Sequence, residues 1–388
     1  MTCFINYTSA ICSLGDNLKD ISQTLFSTET SPLAKTESFT PSRSIPLGQV
    51  TTKLPTIKDP LFNTRNNRLL LQCLNQLEAR LNVLKKTTTN HRIGVIIGSS
   101  TSGILEGEQA VFFADKHNEL PVDFDYRQQE IGAPSEFVKN HLKTSGPAWT
   151  ISTACTSGAK ALASAKRLID MDICDIVIAG GADSLCRLTV EGFSSLDAVS
   201  SDICNPFSIN RNGINIGEGA ALFILSKQQG PIALTGIGET SDAYHISAPD
   251  PEAKGAIKAL KKALNMANLK PEDIDYINLH GTATTHNDNM ESIATHSVFG
   301  CDIPCSSTKP LTGHTLGAAG ALEAAFCCLT LQRKDGLLPK QLWDKQYDPS
   351  LPTLNNYALT QSTKPIRKTV SNSFAFGGNN ISLILEAP

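Results

Sequence analysis

Short apolar, β-branched runs alternate with longer stretches of helical periodicity along the whole of this chain. That alternation restricts the fold to a largely parallel, buried sheet with helices on its faces. The runs in the first half are CFINYTS (3–9), RIGVIIGSS (92–100), WTISTA (149–154), DIVIAGG (175–181) and AALFILS (220–226). Those in the second are PIALTGIGE (231–239), DYINLHG (275–281), IPCSS (303–307), KTVSNSF (368–374) and ISLILEA (381–387). Helical patterns fall between them at 66–86, 155–171, 253–268, 288–299 and 315–333. Five runs on either side of a junction near Gln228 to Pro231 read as a duplicated mixed α/β unit, with residues 1–229 as one half and 230–388 as the other. Residues 28–65, rich in Ser, Thr and Pro, read as a loop excursion, and 104–136 as an insertion carrying aromatic and acidic residues. Long inserts of this kind shape binding sites or subunit contacts, or remain passive surface.

The chain has 388 residues, ample for a large core, with 40% hydrophobic and 18% charged residues and a net charge of -3. That balance excludes a disordered chain and gives no basic surface for nucleic acid. No window reaches the ~18 consecutive apolar residues of a membrane span. The start, MTCFINYTSAICSLGDNLKD, lacks the basic segment and apolar core of a signal peptide, so a cytoplasmic protein is expected. Eleven cysteines then read as reduced thiols rather than a disulfide framework. Cys301 with Cys305, or Cys327 with Cys328, lacks the CxxC pair or spaced histidine of a zinc site, and no metal is expected.

One cysteine has a different setting. Cys155, in TISTACTSGAKALASAKRLI, stands where an extended stretch meets a helix, and Ser157, Gly158 and Ala159 leave the first turn unobstructed. A helix N-terminus there would stabilise a thiolate; the alternative is a small buried packing residue. His280 ends the apolar run DYINL and is followed by Gly281, Thr282, Ala283 and Thr284, so it projects from a strand's carboxyl end, where ligands collect in α/β sheets. His314 lies in STKPLTGHTLGAAGALEAA, whose small residues allow close helix packing but do not account for the histidine. Lys309 and Glu323 bracket it, and the step from His314 to Glu323 is about two and a half helical turns, which makes the two supports of the site rather than partners on one face. In NSFAFGGNN (372–380), Gly377 and Gly378 permit a tight turn with backbone N–H groups free to serve as oxyanion donors, below Phe374 and Phe376. His245, His286 and His296 have no comparable setting. A cysteine with two histidines so placed points to acyl-thioester chemistry with a carbon nucleophile.

Taken in order, TACTSGAKAL, SDAYHISAPD, HGTATTHND, STKPLTGHTLGAAGALE and NSFAFGGNN resemble the β-ketoacyl-[acyl-carrier-protein] synthases of the elongating type, clearly over about 92–387. The resemblance implies a thiolase-like fold: two βαβαβαββ halves packed as a five-layer αβαβα core, usually dimeric. It implies that Cys155 accepts an acyl group from acyl carrier protein, with the backbone N–H groups of Cys155 and Phe376 as the oxyanion hole. His280 and His314 would stabilise the enolate from decarboxylating malonyl-carrier protein, and the chain would grow by two carbons. Lys309 and Glu323 would support the site, Thr282 and Thr284 would contact the phosphopantetheine arm, and Phe376 with Gly377 and Gly378 would gate it beside the loop 242–250. No cofactor is implied beyond that carrier-bound phosphopantetheine. Ala375 and Asn379 depart from the family's GFGGTN, and HGTAT from its HGTST. These features resemble the ketosynthase subunits of type II polyketide and aryl polyene systems. Some of those pair with a chain-length-factor homologue lacking the cysteine, so the partner is either a second copy or such a homologue. A thiolase would need a second catalytic cysteine near its C-terminus, and none follows Cys328. A CoA-primed synthase would have asparagine at His314, and a papain-like protease would show a CGSCW-type context. A silent scaffold subunit leaves Cys155, His280, His314 and Lys309 unexplained together.

Overall fold

The computed structural model describes residues 3–41, 43–355, 362 and 364–388. Its strands are β1 (Cys3–Cys12), β2 (Ala34–Thr36), β3 (Ile45–Leu47), β4 (Ile93–Gly98), β5 (Ala148–Ile151), β6 (Ile176–Asp183), β7 (Gly219–Ser226), β8 (Ile232–Ser241), β9 (Tyr276–Asn278), β10 (Cys305–Ser306), β11 (Lys368–Ala375) and β12 (Asn379–Glu386). Its helices are α1 (Leu18–Ser27), α2 (Arg65–Thr87), α3 (Ile104–His117), α4 (Ala133–Leu142), α5 (Ser157–Asp170), α6 (Arg187–Ser194), α7 (Lys254–Ala267), α8 (Thr285–Phe299), α9 (Lys309–Thr312) and α10 (Ala319–Gln332).

All strands but β2 and β3 join one ten-stranded sheet in the order β10-β9-β11-β12-β8-β1-β7-β6-β4-β5. Counted within each half, both sets of five lie third, second, fourth, fifth, first across the sheet. The two first strands, β1 and β8, meet antiparallel at the centre, Cys3 opposite Leu234 and Ile5 opposite Ile232. The residues of β4, β6 and β7 are buried throughout, as near-continuous Val, Ile, Leu and Ala runs require. Helices α5 and α10 touch each other and strands of both halves, so the sheet encloses them, while α2 covers the first half and α7 the second from outside. That is the five-layer arrangement expected. Its largest apolar cluster runs from Cys3 and Ile5 through Ala161, Leu162 and Ala165 of α5 to Ala324, Phe326 and Cys328 of α10.

The small residues around Cys155 and His314 set how closely these layers approach. A Cβ added at Gly98 would stand 2.4 Å from the Gly158 nitrogen, and one at Gly158 would stand 2.9 Å from the Ala321 nitrogen. One at Gly320 would stand 3.0 Å from the Ala159 nitrogen, so α5 and α10 cross almost backbone to backbone. The N-terminal end of α5 therefore lies against the segment that leads into α10.

Several elements differ from expectation. The 28–65 excursion contains the β2/β3 hairpin, with Ala34 paired to Leu47 and Thr36 to Ile45. The 104–136 stretch is ordered: its first fourteen residues form α3, followed by a 3-10 turn at Tyr126–Gln129. The helix expected over 315–333 begins only at Ala319, after a 3-10 turn at Leu316–Ala318. Leu316 has a φ of 52°, and the backbone there bends back toward His314 instead of continuing as helix. Strands β9 and β10 have three and two residues, because the chain leaves the sheet early to carry His280 and Lys309. Helix α1 was not anticipated, although Asn17 caps it by accepting from the Lys19 and Asp20 N–H groups.

Candidate active site

Cys155 sits at the apex of a sharp elbow between β5 and α5. Ala154 has a φ of 52°, a left-handed conformation that costs an alanine on the order of 1 kcal/mol and is held by its surroundings. Ser157 supplies that hold: its hydroxyl donates to the Ala154 carbonyl at 2.6 Å and accepts from the Thr153 N–H at 2.9 Å. Thr156 adds a hydroxyl bond to the Thr153 carbonyl at 2.7 Å. The sulfur is therefore presented at a fixed point while being only 7% exposed.

His314 reaches that point from the other half. Its Nε2 lies 3.0 Å from the Cys155 Sγ, and its Nδ1 accepts the Leu316 N–H at 3.1 Å. An accepting Nδ1 assigns the ring proton to Nε2, aimed at the sulfur. The His314 N–H in turn donates to the Asn215 carbonyl at 2.6 Å, fixing the segment against the first half. The His280 ring stands edge-on to His314 with centroids 5.2 Å apart. Its main chain is held from both sides: Glu291 accepts the His280 and Gly281 N–H groups at 2.8 and 2.6 Å, and Lys309 Nζ donates to the His280 carbonyl at 2.8 Å. Lys309 forms a buried ion pair with Glu323, so these two are direct partners of each other behind the histidines.

Burial dominates the electrostatics. Both imidazoles titrate well below 6.5, first through burial and then through the Lys309 charge, to which His314 adds at His280. They are neutral N–H donors at physiological pH. The Cys155 thiol is pushed up to about 12 by burial, against which Lys309 pulls weakly. This corrects the expectation of a resting thiolate: in this enclosed site the desolvation of a charged sulfur outweighs the helix end. Three further carboxyls are raised by burial, Glu291 to about 7 and Asp288 and Glu323 to about 6. The Cys155, His280 and His314 donor atoms lie within 4.8 Å of one another, a spacing that would also suit zinc. The positive charge of the adjacent Lys309 opposes a cation there.

The three residues open into a cavity of about 600 Å³ that Thr282, Thr284 and Phe376 also line. The Thr282 and Thr284 hydroxyls lie 2.9 Å apart. Phe376 is 38% exposed at the rim, 5.7 Å from the Phe193 ring. Gly377 and Gly378 do not line the cavity; they shape the turn beneath Phe376 with φ values of 79° and 72°. The 242–250 loop packs on that turn, with the Asp242 N–H donating to the Gly378 carbonyl at 2.8 Å. Sequence reasoning missed four contributors. His245, in SDAYHISAPD, and His286, in HGTATTHND, also line the cavity, although those motifs draw attention to their neighbours. Glu291 lies eleven residues past His280, and its only signal is a carboxylate one turn along a helix from Asp288. Asp183 accepts from Ser99, Ser100, Thr101 and the Gly317 N–H, joining the end of β6 to the His314 segment.

Comparison with known proteins gives these features a family. The beta-ketoacyl synthase N-terminal domain matches residues 58–230, and the C-terminal domain matches residues 232–342. A 3-oxoacyl-[acyl-carrier-protein] synthase 2 of Rhizobium meliloti is 35% identical over 315 residues, covering 76% of this chain and 73% of that protein. The mitochondrial 3-oxoacyl-[acyl-carrier-protein] synthase of Arabidopsis thaliana is 34% identical, over 76% of this chain and 68% of its own length. Among solved structures, a chain of the complex of a ketosynthase (ApeO) with its chain length factor (ApeC) from Xenorhabdus doucetiae matches with a TM-score of 0.96 and 44% identity, covering 100% of this chain and 98% of that one. A β-ketoacyl synthase from Burkholderia phymatum matches with a TM-score of 0.88 and 26% identity, covering 100% of this chain and 99% of the other. With its fold, its elbow cysteine and its two neutral histidines, the chain belongs to the β-ketoacyl synthase family of condensing acyltransferases.

Proposed function

We propose that this protein performs the decarboxylative condensation of an acyl group held on Cys155 with a malonyl group on acyl carrier protein. The observation that carries the residue assignment is the sulfur 3.0 Å from His314 Nε2, with a second neutral imidazole beside it. In the first step the Cys155 sulfur attacks the thioester carbonyl of an acyl-carrier protein. The tetrahedral oxyanion is held by the backbone N–H groups of Cys155 and Phe376, and the carrier thiol leaves with the proton that Cys155 gave up. One such donor is worth about 2.7–4 kcal/mol in related acyl transfers. In the second step the malonyl C–C bond breaks, carbon dioxide departs, and the electron pair forms an enolate whose oxygen accepts hydrogen bonds from His280 and His314. Neutral donors suit this task, because they stabilise charge that develops mainly in the transition state. The enolate carbon then attacks the acyl-Cys155 carbonyl, releasing a 3-oxoacyl-carrier protein, and the sulfur regains a proton from solvent. No bond in this sequence needs a cofactor of the protein's own.

Lys309 and Glu323 hold the His280 main chain in this reading, Thr282 and Thr284 contact the pantetheine arm, and Gly377 and Gly378 let Phe376 swing. The chain divides functionally near residues 229 and 230, the first half carrying the cysteine and the second the histidines. The likeness to a ketosynthase solved with its chain length factor supports a heterodimer with a homologue of that kind, and the condensation serves fatty acid or polyketide, including aryl polyene, synthesis. Val111, Phe112 and Phe113 of α3 are exposed apolar residues that such a partner would cover. The cytoplasm is the natural site of action: no described helix is long and apolar enough to cross a membrane, and all eleven cysteines are free. Carbon dioxide release from malonyl-carrier protein tests the reading. Wild-type protein with its partner should release it, and His280→Ala or His314→Ala should lower the rate at least tenfold, roughly the loss of one hydrogen bond to developing charge. Release no greater than background from the wild type would leave a scaffold subunit instead.

A further inference from the structure

The turn beneath Phe376 is attached to two bodies. Three hydrogen bonds join it to the 242–250 loop: the Gly377 N–H to the Ile246 carbonyl at 2.7 Å, the Asp242 N–H to the Gly378 carbonyl at 2.8 Å, and Asn380 Nδ2 to Asp242 Oδ1 at 2.6 Å. That loop is itself exposed at Tyr244 and Ile246, and the three bonds tie loop and turn into one piece. A fourth bond runs elsewhere. Lys160 Nζ, in the first turn of α5 and five residues past Cys155, donates to Asn379 Oδ1 at 2.7 Å. Asn379 follows Gly378 directly, and Gly377 and Gly378, with φ values of 79° and 72°, are the soft links of the turn. Ala375, where the family has glycine, is in an ordinary extended conformation with a φ of −130°, so that side of the turn is stiff. Movement is left to the glycine pair, and Lys160 restrains its far side.

We propose that Lys160 is a positioning residue that fastens the Phe376–Gly378 turn to the nucleophile's helix through Asn379, so that the turn closes in register with Cys155. Asn379 stands where the family has threonine, and its amide carbonyl places an acceptor for Lys160 further from the backbone than a threonine hydroxyl would. The ammonium is only partly exposed, and its ionisation is disfavoured first by burial and then by Arg167. A charge so placed keeps a hydrogen-bond partner in preference to none. Fastening matters for acyl transfer, because the Phe376 N–H must stand over the same carbonyl that the Cys155 sulfur attacks.

The inference rests on Cys155 being the acyl acceptor, and the test separates the two. The rate of Cys155 acylation by an acyl-carrier protein is measured by rapid quench and intact mass, on the protein with its partner subunit. Lys160→Met and Asn379→Ala should each lower the maximal acylation rate about tenfold, the loss of one charge-assisted hydrogen bond, without raising the half-saturating carrier concentration. The double variant should be no slower than either single variant. Lys160→Arg, which keeps a donor, should stay within about threefold of wild type. Alkylation of Cys155 by iodoacetamide should be equal in all of them, since a small reagent needs no aligned turn. An unchanged or faster acylation rate in both single variants, or additive losses in the double, overturns the role of Lys160. A wild type that takes up no acyl group overturns the Cys155 assignment instead.

Discussion

The two histidines are held neutral by burial, and burial has a measurable signature. With both imidazoles titrating well below 6.5, ring-nitrogen NMR of labelled protein should find His280 and His314 neutral at pH 6. A midpoint near 6.5 for either would contradict the site described. A base whose folded-state pKa is depressed leaves the native state short of protons relative to the unfolded chain, so its contribution to stability is present above pH 6.5 and is lost as the pH falls below that value. Cys155, His280 and His314 were legible because each stands at a break where an apolar run meets small residues. The protonation state of Cys155 was not, because helix-end stabilisation is a local property and desolvation belongs to the assembled cavity. Glu291 was also hidden: it acts on backbone N–H groups, which leave no pattern in sequence.

At the scale of elements, the decisive contact is the crossing of α5 and α10. It brings the elbow of one half within reach of the histidine segment of the other, and it exists because Gly158 and Gly320 have no side chains. Gly158→Val is therefore expected to do more than overpack, which by itself costs about 1–3 kcal/mol. It should lower Tm and also slow Cys155 acylation, as the elbow moves from His314; a variant with lowered Tm and wild-type acylation would separate the two effects and contradict the coupling. The small-residue stripe in TGHTLGAAGALEAA was readable as close packing, and its partner was not, since the stripe does not name what it touches. The helix within 104–136 was not readable, for the opposite reason. Val111, Phe112 and Phe113 are consecutive and exposed in α3, so the helix lacks the apolar periodicity that burial imposes on others.

For the whole molecule, two copies of one five-strand pattern meet at β1 and β8, and Cys155 lies in one of them while His280 and His314 lie in the other. The duplication was visible as ten apolar runs, though the spatial order of strands was not, since pairing across the sheet is set by contacts far apart in sequence. The exposed face of α3 carries the expectation for assembly. Co-expressed with a chain-length-factor-type homologue, the protein should appear in native mass spectrometry as a one-to-one complex. Val111→Asp with Phe112→Asp should dissociate it, and a stable, active homodimer would contradict the heterodimer. The most direct measurement of the condensation itself is intact mass of the enzyme after exposure to acyl-carrier protein, followed by malonyl-carrier protein. The expected result is a single acyl adduct on Cys155, absent from Cys155→Ala, that malonyl-carrier protein discharges with release of carbon dioxide. An adduct that persists on Cys155→Ala at this site, or one that malonyl-carrier protein fails to discharge, would contradict it.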